Sequence, residues 1–270
     1  MQGKTRNNKP IGIFDSGFGG LTVMSAIGNI MPKEDIVYFG DTAHVPYGTK
    51  SKKTVTDFAF KISKFLVKND VKMIVIACNT ASAFSLEYLK KHINVPILGV
   101  IKAGSIMAAK KTKNKMVGVI GTEGTVKSGA YEKEIKKYDK TIKCFSKACP
   151  LFVPLVEEGW CNGKITENVI NVYLKDLVNK NMDTIILGCT HYPLLKKTIK
   201  KVIGKKINII DSSVAVALEV KDFLIKNDLL KTVGKGNRRF YVSDGPEKFK
   251  TIGSKFLGGK ISNVIKAEID

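Results

Sequence analysis

The stretch "MIVIACNTASA" at residues 73–83 returns in altered form as "TIILGCTHYPL" at 184–194. Each copy runs apolar for about one strand, reaches a cysteine (Cys78, Cys189), and passes through threonine into helix-forming residues. A short apolar run bounded by a turn reads as a strand buried on both faces, as in a parallel sheet covered by helices. The same alternation extends outward. "IGIFDS" (11–16), "DIVYFG" (35–40), "KMIVIAC" (72–78) and "PILGVI" (96–101) form one set of strands. "MVGVIGT" (116–122), "IKCFS" (142–146), "TIILGC" (184–189) and "INIIDSS" (207–213) form a second. Between strands, Val55, Phe58, Ile62 and Phe65 recur at helical spacing, as do Ala81, Phe84 and Tyr88, while Ile165, Val169, Val172 and Asp176 mark the faces of a further helix. "KAGSIMAAKKTKNK" (102–115) predicts a helix between two lobes. A helix over about 214–226 leads to "RRFYVS" (238–243) and "ISNVIKAEI" (261–269), two alternating strands predicted to rejoin the first lobe. The expected fold is α/β, with two similar lobes of mainly parallel sheet flanked by helices: 1–101 with 214–270, and 102–213.

A chain of 270 residues exceeds one domain of ~100–150 residues, which agrees with two lobes. Its 44% hydrophobic content is that of a soluble globular protein, and no apolar run reaches the ~20 residues of a membrane span. The polar start, "MQGKTRNNKP", reads as a short disordered tail on a cytoplasmic protein, not a secretory signal. The net charge of +21 could mark a phosphate binder, so a basic nucleic-acid-binding α/β protein stands as an alternative of another class. Yet of 45 basic residues only Arg6, Arg238 and Arg239 are arginine, the residue suited to bidentate phosphate and guanine contacts. The lysines are spread along the chain and read as solvated helix faces, with no specific nucleic-acid partner expected. Cysteines 78, 144, 149, 161 and 189 are odd in number and include no CxxC pair, which points to reduced thiols.

In open α/β sheets, ligands gather beyond the carboxyl ends of strands. Polar clusters stand at such ends: "DSGFGG" (15–20), "GDTAHVPYG" (40–48), "CNT" (78–80), "GT" (121–122), "CTH" (189–191) and "DSS" (211–213). The "DSGFGG" glycines suit a tight turn or an anion-binding helix start, though neither the phosphate-loop nor the dinucleotide pattern is present. Both cysteines precede a helix start, where thiolate is favoured, and Pro193 fits a first helical turn. Turning a thiol of pKa near 8.5 into a base at neutral pH costs about 2 kcal/mol, and Asp15 and His191 are candidate proton partners. Two thiols facing each other across a cleft can invert a carbon, one removing a proton and the other delivering one. Zinc on Cys78, Cys189, His191 and Asp15 is a rival reading without a closely spaced ligand pair, and a redox dithiol lacks an adjacent resolving cysteine. Cys144, Cys149 and Cys161 read as packing or incidental thiols, His44 as a loop residue, His92 as a helix-end residue and Trp160 as packed. Glu157 and Glu158 lie in a segment that could reach the cleft. No lysine at a strand end suggests a Schiff base with pyridoxal phosphate.

With these residues in place, the chain resembles the glutamate racemases of bacterial cell-wall synthesis. "IFDSGFGGLTV", "YFGDTAHVPYGTKS", "IACNTASA", "VIGTEGTVKSGAY", "PLVEEGW", "LGCTHYPLL" and "IDSS" match in family order from residue 11 to about 213. "GCTHYPLL" separates this group from related aspartate racemases. The resemblance implies a two-domain fold with pseudo-twofold symmetry, a site in the cleft, and interconversion of L- and D-glutamate without cofactor or metal. It assigns Cys78 to the D-enantiomer and Cys189 to the L-enantiomer as proton donor/acceptors, assisted by Asp15 and His191. By the same resemblance Asp15, Ser16, Tyr47, Gly48, Asn79, Thr80, Thr190 and His191 bind substrate, and Thr122, Thr125 and Glu157 complete the pocket. It further implies a homodimer whose product feeds peptidoglycan. Racemisation of aspartate or another amino acid is the nearest alternative, decided by pocket length.

Overall fold

Residues 6–269 are described in a computed structural model. Its strands are β1 (Ile11–Asp15), β2 (Ile36–Gly40), β3 (Met73–Ile76), β4 (Ile97–Gly99), β5 (Met116–Gly121), β6 (Lys143–Ala148), β7 (Thr184–Gly188), β8 (Asn208–Asp211), β9 (Arg238–Val242) and β10 (Val264–Lys266). They form a six-stranded sheet, β10-β9-β2-β1-β3-β4, and a four-stranded sheet, β6-β5-β7-β8. Every adjacent pair is parallel. The continuous apolar runs β1, β2, β3 and β7 are buried at every residue, as strands covered on both faces must be. By contrast, β9 near the edge buries only alternate side chains, Phe240 and Val242.

The two sheets answer why one device occurs twice. β3 lies between β1 and β4, and β7 lies between β5 and β8. Cys78 and Cys189 therefore follow strands of the same rank in the two sheets, each beside its sheet's first strand. In-register pairing of Phe14 with Ile76, and of Gly121 with Gly188, brings the strand ends level. The helix Ser212–Lys226 packs on both Leu21–Ile30 and Val100–Lys111, tying the halves together.

Several sequence expectations change. The strand expected over 96–101 stops at Gly99, because the connecting helix starts at Val100. That helix ends at Lys111, not 115, and Lys115 takes a left-handed φ of 62°. Only Val264–Lys266 of the 261–269 stretch is strand. The helix Pro246–Leu257 was not marked, although Pro246 at its start and left-handed Gly258 at its end are its signals. The tail expectation falls partly on residues 1–5, outside the described residues. Residues 6–10 depart from it: the Asn7 carbonyl accepts from Lys72 Nζ at 3.0 Å, and Lys9 pairs with Asp70 at 2.6 Å. Lys72 is itself buried, and its ammonium also meets Glu34 at 2.5 Å and the Leu229 carbonyl at 2.7 Å. Trp160 does not pack inside; it is 54% exposed.

Candidate active site

Asp15 closes β1 and is fully buried. Its Oδ2 accepts the Gly17 amide at 3.0 Å and its Oδ1 accepts the Thr190 hydroxyl of the other sheet at 3.3 Å. Burial raises the Asp15 carboxyl above its ordinary range, outweighing the opposing pull of His191, the Gly17 and Gly20 amides and Thr190. The glycines after it serve close approach, since none of Gly17, Gly19 and Gly20 is among the positive-φ glycines. A β-carbon on Gly19 would sit 2.6 Å from His191 Nδ1, and one on Gly20 would sit 2.5 Å from Asp15 Cβ.

The thiols occupy unlike environments. Cys78 caps the helix Asn79–His92, its sulfur accepting the Ala81 amide at 3.4 Å. Burial, then the nearby Asp15 charge, push the Cys78 thiol up to about 12, against the pull of the Ala81 amide and the Ser16 hydroxyl. Cys189 instead faces an imidazole, with its Sγ 3.9 Å from His191 Nδ1. His191 Nε2 meets Glu157 Oε1 at 3.0 Å. Burial disfavours charge on this ring, but the contacts with Cys189 and Glu157 prevail and raise His191 to about 10. The raised pKa favours the imidazolium, which can stabilise negative charge on the neighbouring sulfur or give it a proton. The ring of Phe256 stands edge-on to it at 5.4 Å.

Hydroxyls join the sheets opposite. Thr80, Thr122 and Thr125 form a triangle, with Oγ separations of 2.9 Å for Thr80–Thr122 and 3.1 Å for each of the other two. Thr122 also caps the short helix Glu123–Lys127. Gly48 sits tightly on Thr122, whose Cβ would lie 2.5 Å from an added β-carbon. Tyr47 donates its hydroxyl to buried Asp41 at 2.5 Å. Asp41 also accepts from Ser243 at 2.7 Å and meets His44 at 2.8 Å. His44, read from sequence as an ordinary loop residue, thereby anchors the loop and stacks on Phe58 with ring centres 4.1 Å apart.

These groups line one small pocket between the strand ends. Ser16, Tyr47, Gly48, Asn79, Thr80, Thr122, Thr190, His191 and both Cys78 and Cys189 line it. Asp15, Thr125 and Glu157 stand behind the wall, acting on lining residues through the contacts above. Sequence reasoning missed Asp41, Ser243, Tyr131, Ser212 and Phe256. Asp41 and Ser212 lie inside the strand-end clusters 40–48 and 211–213, but partners as remote as Ser243, 202 positions from Asp41, leave no local spacing that would single them out. Among the described residues, no group of three or more His, Cys, Asp or Glu side chains is arranged to hold a metal ion.

The sequence matches the family model for Asp/Glu/hydantoin racemases over residues 12–220. A glutamate racemase of Geobacter metallireducens is 48% identical over 263 residues, covering 97% of each chain. One from Aquifex pyrophilus is 56% identical over 218 residues, covering 81% of this chain and 84% of its own. A crystal structure of the Francisella tularensis glutamate racemase in complex with D-glutamate superposes with a TM-score of 0.92 at 41% identity, covering 98% of this chain and 99% of that one.

Proposed function

Because the chain belongs to the Asp/Glu/hydantoin racemase family and is a racemase of glutamate, an isomerase, we propose that Cys78 and Cys189 are its two proton-transferring groups. From L-glutamate, the Cys189 thiolate takes the α-proton and the bonding pair stays on carbon. The Cys78 thiol then delivers its proton to the opposite face, giving D-glutamate and leaving Cys189 as thiol and Cys78 as thiolate. D-glutamate reacts by the reverse sequence. Burial and the Asp15 charge keep the proton on Cys78, which suits it to deliver that proton in the L-to-D direction. His191 assists Cys189, oriented by Glu157, and Asp15 assists Cys78.

The carbanion-like transition state needs donors preset around the α-carboxylate in a dry site. Ser16, Asn79, Thr80 and Thr190, with the backbone at Tyr47 and Gly48, supply them, and Thr122 and Thr125 brace Thr80. No step calls for a cofactor. The lobes are taken as 1–101 with 214–270, and 102–213; β9 and β10 in the first sheet support this division. We place the enzyme in the cytoplasm as a homodimer, its D-glutamate serving peptidoglycan. The positive charge draws in the anionic substrate.

The observation that carries this reading is that both thiols line one cavity from equivalent strand ends. Purified protein incubated with L-glutamate, without pyridoxal phosphate, should reach an equal mixture of enantiomers by chiral chromatography, with L-aspartate converted far more slowly. No D-glutamate would overturn it, and faster conversion of aspartate would reassign the substrate.

A further inference from the structure

Asn79 follows Cys78 directly, is 4% exposed, and lines the cavity. A side-chain amide offers two donors at one end and an acceptor at the other, so a half-turn changes what a substrate carboxylate meets. Its Oδ1 lies 2.6 Å from the hydroxyl of Tyr131, on the second sheet's helix Ala130–Tyr138. That distance belongs to O–H···O bonds, while N–H···O bonds centre near 2.9–3.0 Å, so the carbonyl end faces Tyr131. The same hydroxyl is 3.0 Å from Ser212 Oγ. Since Tyr131 gives its one proton to Asn79, it can only accept from Ser212, whose own proton has two acceptors within reach, Tyr131 at 3.0 Å and the Leu187 carbonyl at 3.4 Å.

The tyrosine ring is held as firmly as its hydroxyl. Tyr131 is 2% exposed, and a β-carbon on Gly188, the residue before Cys189, would come 3.1 Å from its ring. A β-carbon on Gly104 would come 2.8 Å from Ser212 Oγ and 3.5 Å from the ring. Tyr131 thus rests on the turn carrying Cys189 while its hydroxyl reaches the residue after Cys78. Among the described residues Asn79 Nδ2 has no hydrogen-bond acceptor in the protein, which leaves its two donors for the cavity.

We infer that Tyr131 is a positioning residue: from the second lobe it fixes the Asn79 amide so that Nδ2 faces the substrate, making correct orientation depend on the lobes being closed on each other. The inference rests on the racemase reading above. The test uses the full chain and L-glutamate. Tyr131→Phe removes one hydroxyl and is expected to lower kcat about tenfold, with a smaller change in KM, because the donor matters most as charge develops. In an Asn79→Ala background the same change should have no further effect, since Tyr131 acts through Asn79. Equal losses in both backgrounds, or no loss in the first, would overturn the inference. Should Tyr131→Phe fold poorly, Asn79→Asp preserves the acceptor for Tyr131 but replaces the cavity donors with an oxygen; assayed below its own melting temperature, it should lose at least a hundredfold in kcat, and near-wild-type turnover would overturn the inference. Wild-type protein that fails to racemise glutamate would instead sink the underlying reading, so the two failures are distinct.

Discussion

The Cys189 sulfur lies 3.9 Å from Nδ1 of His191, and this ring is backed at Nε2 by Glu157. Cys78 has no imidazole; it has buried Asp15 nearby, which adds to the effect of burial in keeping its proton on. The two sheets thus supply equivalent backbone positions and unlike electrostatics. One sulfur is furnished with a cationic proton partner and the other is held as an acid.

That asymmetry predicts the order of alkylation. The thiols are almost equally covered, 6% exposed for Cys78 and 7% for Cys189, so access does not separate them. Iodoacetamide at pH 7.5 without substrate should label Cys189 at least ten times faster than Cys78, read by peptide mass mapping, because the thiolate is the nucleophile. Equal rates would show that His191 and Asp15 do not differentiate them.

Glu157→Gln removes the carboxylate that holds His191 but keeps its size. Racemisation should fall roughly tenfold, less than the ~10²–10⁴ of a group that itself transfers the proton because Glu157 acts through His191, with the pH profile shifting toward a lower His191 pKa. An unchanged profile would detach Glu157 from the proton chemistry.

His191 also fixes a pH dependence of stability. Its folded pKa of about 10 exceeds the ordinary 6.5. A group raised in this way stabilises fully below pH 6.5, and its contribution is lost as pH rises through 10, where the folded imidazolium gives up its proton. Between pH 7 and 8.5, the unfolding free energy of the native chain should fall more steeply with pH than that of His191→Gln, by at most about 1.4 kcal/mol per pH unit because any proton that Cys189 gives up on folding offsets the one His191 gains. Parallel slopes in urea titrations would contradict this.

Lys72→Met would leave Glu34 buried without its cation. Breaking such a pair costs about 3–5 kcal/mol, measurable as a lower denaturation midpoint with little change in the per-molecule activity of the folded fraction, since the pair lies at the amino ends of the strands. A change under about 1 kcal/mol would mean that water reaches this site.

The parts of this molecule legible in sequence were those written locally. A four- or five-residue apolar run, a cysteine and a threonine announce a strand-end turn, and doubling them announces two sheets. The return of 238–242 to the first sheet could be read from its alternation, because Phe240 and Val242 point inward one strand in from the edge. Trp160 misled because a large aromatic is assumed to be buried; here it sits on a tight turn after the Phe152–Glu157 helix. Asp41 and Tyr131 lie in stretches marked from the sequence, but nothing local in those stretches gives either residue its role. A buried carboxylate needs donors from elsewhere, and those of Asp41 come from Tyr47 and from Ser243 at the far end of the chain. Lys72 looked like one more surface lysine among many until folding surrounded it with Glu34 and two carbonyls.

Two opposed proton carriers leave an isotopic signature that one carrier cannot. Metal-free protein is incubated with L-glutamate in deuterated water, and both enantiomers are separated and weighed at early conversion. The account predicts that D-glutamate carries one solvent deuterium at the α-carbon, while the remaining L-glutamate stays protiated. Early D-glutamate that retains the substrate's own hydrogen would contradict it, because a single group would then have moved that hydrogen from one face to the other.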